Sequence, residues 1–194
     1  MKSLLLLPLL FAAACAAEST WSPVTAPGEE LATDARFETA VAIKTEMVAG
    51  LTQKLGAAIQ EGGPAGAIEV CKAVAPAAAK KMGEAHGVRV GRTSFRLRNP
   101  GNRPPTWLAE TVAEAGAAES ALKADGKPLA WRGPAGELGV AFPLPVQAKC
   151  LACHGPQSGI APETQAALAA SYPGDEATGF NEGDLRGWLW VELP

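Results

Sequence analysis

The stretch Lys149-Cys150-Leu151-Ala152-Cys153-His154 is the part of the sequence around which we expect the fold to be organised. Two cysteines stand three residues apart and a histidine follows the second, which is the pattern through which haem c is attached. On one helical turn Cys150 lies near both Cys153 and His154, so all three side chains leave from one face. The two sulfurs then suit thioether bonds to a flat macrocycle, and the imidazole suits the proximal position on its iron. The motif therefore predicts one covalently bound haem c, attached at Cys150 and Cys153, with His154 as iron ligand.

Two other site types share this spacing of cysteines. A thioredoxin-like redox pair belongs in a βαβ context, and a zinc site needs a second pair of ligands at close spacing. The rest of the chain offers neither pattern, so we favour haem over both.

The bulk composition is that of one globular domain. The chain has 194 residues, of which 47% are hydrophobic and 19% charged. These values allow a sizeable apolar core. A formal net charge of −3 argues against nucleic acid as a partner.

The N-terminus has the pattern of a secretory signal. A basic start at Lys2 precedes an apolar run over residues 4–14 and small residues at its exit, so we predict a signal peptide over residues 1–17. The run is too short to span a bilayer, and no later segment predicts a transmembrane helix. Export agrees with haem, because haem c is joined on the outer side of the bacterial inner membrane; we expect a periplasmic protein. Cys15 is a candidate lipid anchor, although Ala12 departs from the usual lipoprotein signal; the alternative is that Cys15 is removed with the signal.

Punctuation by glycine and proline divides the remaining chain. We predict a flexible leader over residues 18–33 and one folded domain over residues 34–194. Helical periodicity predicts two long helices separated by Gly62-Gly63-Pro64, the second carrying Cys71 on its apolar, core-facing side. Further on we predict a strand pair or bulged strand over 88–97, a helix over 105–118, an edge strand over 138–146 interrupted by two prolines, the haem helix, a helix over 162–170 and a final strand over 185–193. Without βαβ alternation, this order predicts an α+β fold with an antiparallel sheet.

Three separated segments carry a family resemblance. They are Ile68-Glu69-Val70-Cys71-Lys72 with Ala75-Pro76; Val90-Gly91-Arg92-Thr93-Ser94-Phe95-Arg96-Leu97-Arg98-Asn99-Pro100; and Cys150 to Gly155, followed by Tyr172-Pro173 and residues 177–187. In this order they resemble the Tll0287-like haem domain family, over most of residues 36–193. The resemblance implies an exported single-haem protein with a PAS-like sheet. It also implies histidine on one side of the iron and a cysteine thiolate on the other, at the positions matching His154 and Cys71.

The residues alone leave the second axial ligand open. Cys71 is favoured by its place on a helix face, against the alternative of an inert buried thiol. His86 is the other histidine but lies at a helix end, and the methionines at 47 and 82 are expected in the core. A thiolate ligand stabilises ferric iron and would lower the reduction potential relative to a histidine and methionine pair.

A basic run supplies candidate contacts for the haem propionates. Arginines stand at positions 89, 92, 96, 98 and 103, and the guanidinium fork matches a carboxylate. We single out Arg92 and Arg96, because they lie in the motif that carries the resemblance. The alternative is a solvated strand face.

Together these features predict a periplasmic monohaem c-type cytochrome with an electron-transfer or redox-responsive role. If protein ligands fill both axial positions, small molecules have no open site on the iron, so we do not expect an enzyme. A redox partner protein is implied, but the sequence does not specify it. The alternatives are a haem-based redox or gas sensor that signals through a separate partner, and a peroxidase-type enzyme.

Overall fold

A computed structural model describes residues 20–118 and 122–194, with the side chain of Val70 left out. The signal peptide predicted for residues 1–17 and the candidate anchor Cys15 lie outside the described residues. Within these two ranges, no helix is both long enough and apolar enough to cross a membrane.

The described chain contains five α-helices and five β-strands. The helices are α1 (Pro27–Glu30), α2 (Ala35–His86), α3 (Ala109–Ala117), α4 (Leu151–His154) and α5 (Pro162–Ser171). The strands are β1 (Ser22–Pro23), β2 (Arg89–Thr93), β3 (Leu129–Arg132), β4 (Leu138–Pro145) and β5 (Leu185–Leu193). Short 3₁₀ turns precede α3 and α4, at Thr106–Leu108 and Ala148–Cys150, and another lies at Gln157–Gly159.

The described strands form one antiparallel sheet in the order β1-β3-β4-β5-β2. Strands β3 and β4 are joined as a hairpin, whereas β2, which ends at Thr93, pairs with β5, which begins only at Leu185. Every strand pairing among the described residues is antiparallel, and none of them forms the parallel βαβ unit of an α/β fold. The predicted α+β class with an antiparallel sheet is therefore confirmed.

Helix α2 contains the two predicted helices in one run with a break between them. The Asp34 carboxylate accepts a hydrogen bond from the Arg36 amide and caps the first turn. At the predicted break Gly63 adopts φ 66° and ψ −177°, which is not helical, and Pro64 follows it. Gly87, with φ 65°, ends the helix in a left-handed conformation that costs glycine little.

The sheet is covered on both faces. Against α2 it buries an apolar cluster that includes Leu31, Ile43, Met47, Met82, Val140 and Val191. On the opposite face Trp107 and Val112, from the α3 region, pack against Ala141 and Trp188 of the sheet. The site described below lies beyond these clusters, where α2, β2 and α4 approach one another.

Two expectations about strands are wrong. Strand β4 is central, between β3 and β5, although Pro143 and Pro145 favour an edge. The β3 pairing covers only Leu138–Ala141, so both prolines lie where β4 has β5 as its single neighbour. In the region 88–97 one regular strand, β2, forms instead of the predicted strand pair or bulged strand, because the chain leaves the sheet after Thr93.

The expected flexible leader over 18–33 also differs from the structure. Strand β1 pairs with β3, the Val24 amide donates to the carbonyl of Ala130 at 2.8 Å, and Leu31 is 0% exposed. Trp21 also packs against Trp107, with ring centroids 5.6 Å apart. This segment buries enough apolar surface to belong to the domain from about residue 21 onward.

Candidate functional site

A cavity of about 240 Å³ lies between α2, β2, α4 and the start of β5. Its lining includes Cys71, Cys150, Cys153 and His154, which come from two regions about 80 positions apart in the chain. The fold thus brings together the four residues that the sequence predicts as attachment sites and axial ligands. Apolar walls come from side chains such as Leu55, Ile59, Ile68, Leu97 and Leu144.

The Cys-x-x-Cys-His motif forms a short helical unit, as predicted. A 3₁₀ turn that ends at Cys150 runs directly into α4, which ends at His154. The turn is held against a later loop: the His154 and Gly155 carbonyls accept hydrogen bonds from the amides of Phe180 at 3.0 Å and Gly179 at 2.8 Å. The three motif side chains therefore face the cavity from a fixed backbone.

The ring of His154 has a defined orientation. Its Nδ1 lies 2.7 Å from the Ala177 carbonyl oxygen, and because a carbonyl can only accept, Nδ1 carries the proton and donates it. Burial lowers the pKa of His154 well below 6.5, and the nearby Arg186 and Arg98 charges act in the same direction. The imidazole is therefore neutral at neutral pH, and Nε2 presents the lone pair that a metal ligand requires.

The three cysteines at the cavity are free thiols. Burial raises the pKa of Cys153 and also that of Cys71, while the charges of neighbouring arginines oppose the shift. Cys71 is nevertheless exposed, because it opens into the cavity; the prediction that it faces the core is wrong. Its place on the cavity wall leaves the sulfur accessible to a ligand.

The alternative axial ligands lie elsewhere. Met47 and Met82 belong to the core cluster between α2 and the sheet, where they are 3% and 6% exposed. His86 is the last residue of α2 and does not belong to the described lining of the cavity. Among the described residues, Cys71 is thus the candidate that faces the same cavity as His154.

The two arginines predicted as propionate contacts lie in different places. Arg92 lines the cavity, but Arg96 does not. The guanidinium of Arg96 stacks over the ring of Phe180 at 5.0 Å and donates to the carbonyl of Thr178 at 3.1 Å. Both of these partners lie outside the described lining. Because the chain leaves the sheet after Thr93, strand alternation does not decide which side chain of the basic run enters the cavity.

Two further arginines line the cavity, Arg98 and Arg186, neither of which was singled out from the sequence. Arg98 belongs to the same basic run. Arg186 lies at an irregularity of β5, where the register with β4 shifts so that Leu144 faces Gly187 and Pro145 faces Leu185. Such a β-bulge re-aims the extra residue. The sequence signal, alternating apolar residues in β5, predicts a regular strand and conceals the bulge.

The cavity is electropositive. Burial, with the Arg98 and Arg92 charges, lowers the pKa of Arg186 to about 10, so Arg186 remains protonated at neutral pH. Lys149 adds a further positive charge, and none of the described lining residues is Asp or Glu. An occupant with negatively charged edges is therefore favoured.

The cavity wall also contains a buried hydroxyl, that of Thr93. Thr93 is 4% exposed and lines the cavity, and among the described groups its hydroxyl has no hydrogen-bond partner. Buried hydroxyls are normally satisfied, so this atom fits a polar contact from an occupant. With an acceptor imidazole, reachable thiols, apolar walls and cationic groups, the residues present fit the predicted haem.

Fold and site together define the class: an α+β protein in which a Cys-x-x-Cys-His turn and a distant cysteine open into one arginine-lined cavity. A family model described as Tll0287-like matches residues 19–194, and the chain belongs to this family. A solved structure, the crystal structure of the cyanobacterial heme-protein Tll0287, is 30% identical; the match covers 64% of this chain and 71% of that chain, with a TM-score of 0.47. Comparison with curated proteins gives no match.

Proposed function

We propose that this protein is an exported monohaem c-type cytochrome that transfers electrons or responds to redox state. The observation that carries the proposal is the convergence of Cys71, Cys150, Cys153 and His154 on one cavity. Family membership supports it, since the solved relative is described as a heme-protein.

Each of these residues has a distinct role in the proposal. The thiols of Cys150 and Cys153 would add their S–H across the vinyl groups of haem and hold it through two thioethers. His154 would bind iron through Nε2, the nitrogen left free by the bond from Nδ1 to Ala177. The Cys71 sulfur would occupy the opposite side as thiolate. When bound, haem supplies a one-electron couple between ferric and ferrous iron.

Arginine side chains are the proposed contacts of the haem propionates. Arg92 retains the predicted role of propionate contact, because it lines the cavity. Arg96 is better explained as a support for the Phe180 ring and the Thr178 carbonyl. We assign the role of second propionate contact to Arg186 instead, because the bulge in β5 directs its side chain into the cavity.

The proposal does not include an enzymatic reaction. Peroxidase-type chemistry needs an open iron position and a nearby acid or base. The described lining supplies His154 as its one histidine and no carboxylate, and Cys71 would fill the second axial position. Electron exchange with a periplasmic partner protein requires neither an open position nor a proton donor.

Redox or gas sensing is the second candidate. The observation that favours it is that burial raises the pKa of Cys71, because a neutral thiol binds iron more weakly than a thiolate does. A sulfur ligand that takes up a proton would leave ferrous iron and admit a diatomic gas. In that case the signal would pass to a separate partner protein.

The test is expression of the full chain with a working haem-maturation system. The wild-type protein should show a c-type pyridine haemochrome and the mass of one covalent haem, whereas Cys150→Ala/Cys153→Ala should carry none covalently. Ferric EPR of Cys71→Ala, with His86→Ala as matched control, tests the second ligand. A thiolate-type low-spin signal lost only in Cys71→Ala is expected. A colourless wild-type protein overturns the haem proposal, and loss of the signal in His86→Ala overturns the ligand assignment.

A further inference from the structure

Arg98 forms a buried ion pair beside the proximal histidine. Its Nε and Nη2 approach the same carboxylate oxygen of Asp175 at 3.0 and 2.9 Å. The two side chains are 14% and 10% exposed, so the pair is shielded from water. Nη2 also donates to the carbonyl of Cys153 at 2.6 Å, which ties the pair to the Cys-x-x-Cys-His turn.

The same pair controls the carbonyl that orients His154. The Ala177 oxygen accepts from His154 Nδ1 at 2.7 Å and also from Arg98 Nη2 at 3.3 Å. The amide of Ala177 donates to the other oxygen of the Asp175 carboxylate at 2.8 Å. One carboxylate and one guanidinium thus fix both the position and the hydrogen-bonding capacity of the acceptor behind the imidazole.

A further contact joins Arg98 Nη1 and His154 Nε2, which are 3.4 Å apart. It is the longest of the contacts made by Arg98, and the bonds through Nε and Nη2 hold the side chain without it. Metal binding at Nε2 would release this contact and leave the rest of the network in place.

We propose that Arg98 and Asp175 are positioning residues that set the reduction potential of the haem through His154. This inference rests on the proposed function, because it requires His154 to be the iron ligand. The strength of the hydrogen bond at Nδ1 governs how basic the imidazole is, and a more basic ligand favours ferric iron. Arg98 shares the Ala177 oxygen and so weakens the bond from Nδ1, which raises the potential. Asp175 would lower it, because its carboxylate adds a negative charge behind the imidazole, where it contacts Arg98 and the Ala177 amide.

Two single variants separate this role from a general loosening of the site. Arg98→Lys keeps the positive charge but lacks the planar fork, so Ala177 turns wholly to His154 and the potential falls. Asp175→Asn removes the negative charge but keeps an oxygen for the Ala177 amide, so the potential rises. We expect the ferric-to-ferrous ratio at a fixed applied potential to change about tenfold in opposite directions, which is about 59 mV for a one-electron couple.

The measurement is spectroelectrochemical titration of the haem-loaded proteins, with ferric EPR to check that the axial ligands are unchanged. Arg89→Lys is the matched control, since Arg89 is ion-paired with Glu192 at the sheet and lies outside the described lining; it should keep the wild-type potential. Shifts of the same sign in Arg98→Lys and Asp175→Asn, or no shift in either, overturn the inference.

A double variant covers the case in which one unpaired buried charge prevents folding. Arg98→Gln/Asp175→Asn removes both charges together, and a potential below that of the wild-type protein is expected, because the shared acceptor is again left to His154. An unchanged potential counts against the inference. A wild-type protein without covalent haem overturns the proposed function itself, whereas a haem-loaded wild-type protein with unshifted variants overturns only the role of the pair.

Discussion

Gly187 lies with its backbone directly against the carbonyl oxygen of Thr93, at the wall of the cavity. Its φ is 146°, and a Cβ at this position would overlap the Thr93 carbonyl and lie 2.9 Å from the Cβ of Ser94. This close approach is next to the bulge that presents Arg186. A residue without a side chain is therefore required for β5 to pass this point.

We predict that Gly187→Ala destabilises the protein. Strain at the positive φ and the collision with Thr93 should together lower the free energy of unfolding by about 2–4 kcal/mol. Urea denaturation followed by tryptophan fluorescence measures the change. Gly50→Ala is the control, because a Cβ there meets no atom within 4 Å; in a helix it should raise stability by about 0.5–1 kcal/mol. Equal stability of Gly187→Ala and wild type would contradict the close approach.

The segment before α2 should contribute to stability. Leu31 is 0% exposed within the cluster between α2 and the sheet, so Leu31→Ala should lower the free energy of unfolding by about 2–5 kcal/mol. Val41, 39% exposed, provides the control, and Val41→Ala should change stability by about 0.5 kcal/mol or less. If the two variants behave alike in urea denaturation, the segment is a leader after all.

Sequence patterns predicted most of the fold because the signals are local. The break at Gly63 and the final alternating strand each depend on neighbouring residues, and each is present. The misplaced strand β4 shows the limit of this reasoning. A proline has no backbone N–H, so it cannot donate a hydrogen bond to a neighbouring strand. The sequence does not show along which part of β4 a second neighbouring strand is present.

For the site too, the sequence predicted the residues that depend on local spacing and missed those that depend on irregular backbone. Cys150, Cys153 and His154 follow from spacing on one turn, and the structure places them at one cavity with Cys71. The arginines depend instead on where β2 ends and where β5 bulges. Arg96 was predicted as a propionate contact, but its side chain donates to the Thr178 carbonyl. Arg98 and Arg186 line the cavity instead, from irregular backbone that no periodicity encodes.

Acid should weaken the N-terminus of α2. The side-chain hydrogen bond from Arg36 holds the pKa of Asp34 below its usual 3.8, so the carboxylate stabilises the fold above about pH 4. This contribution is lost as the pH falls through the folded-state pKa. Asp34→Asn still caps the helix but lacks the charge, and should be less stable than wild type by about 1 kcal/mol at pH 7.

The difference between the Asp34→Asn and wild-type free energies of unfolding should shrink as the pH approaches 2. Glu84→Gln is a suitable control, because Glu84 and Lys80 form an exposed pair 3.8 Å apart. That variant should follow wild type at every pH. A constant gap between Asp34→Asn and wild type from pH 7 to pH 2 would remove the assigned role of the carboxylate.

Carbon monoxide should distinguish an electron carrier from a gas sensor. If Cys71 keeps its bond to iron in both oxidation states, CO leaves the absorption spectrum of the reduced wild-type protein unchanged. Cys71→Ala removes the sulfur from the cavity lining, so the reduced variant should bind CO and shift its Soret band. His86→Ala should behave as wild type, because His86 lies at the end of α2 and outside the described lining. A wild-type spectrum that responds to CO would mean that Cys71 leaves ferrous iron, and the sensing role would then replace electron transfer as the better explanation.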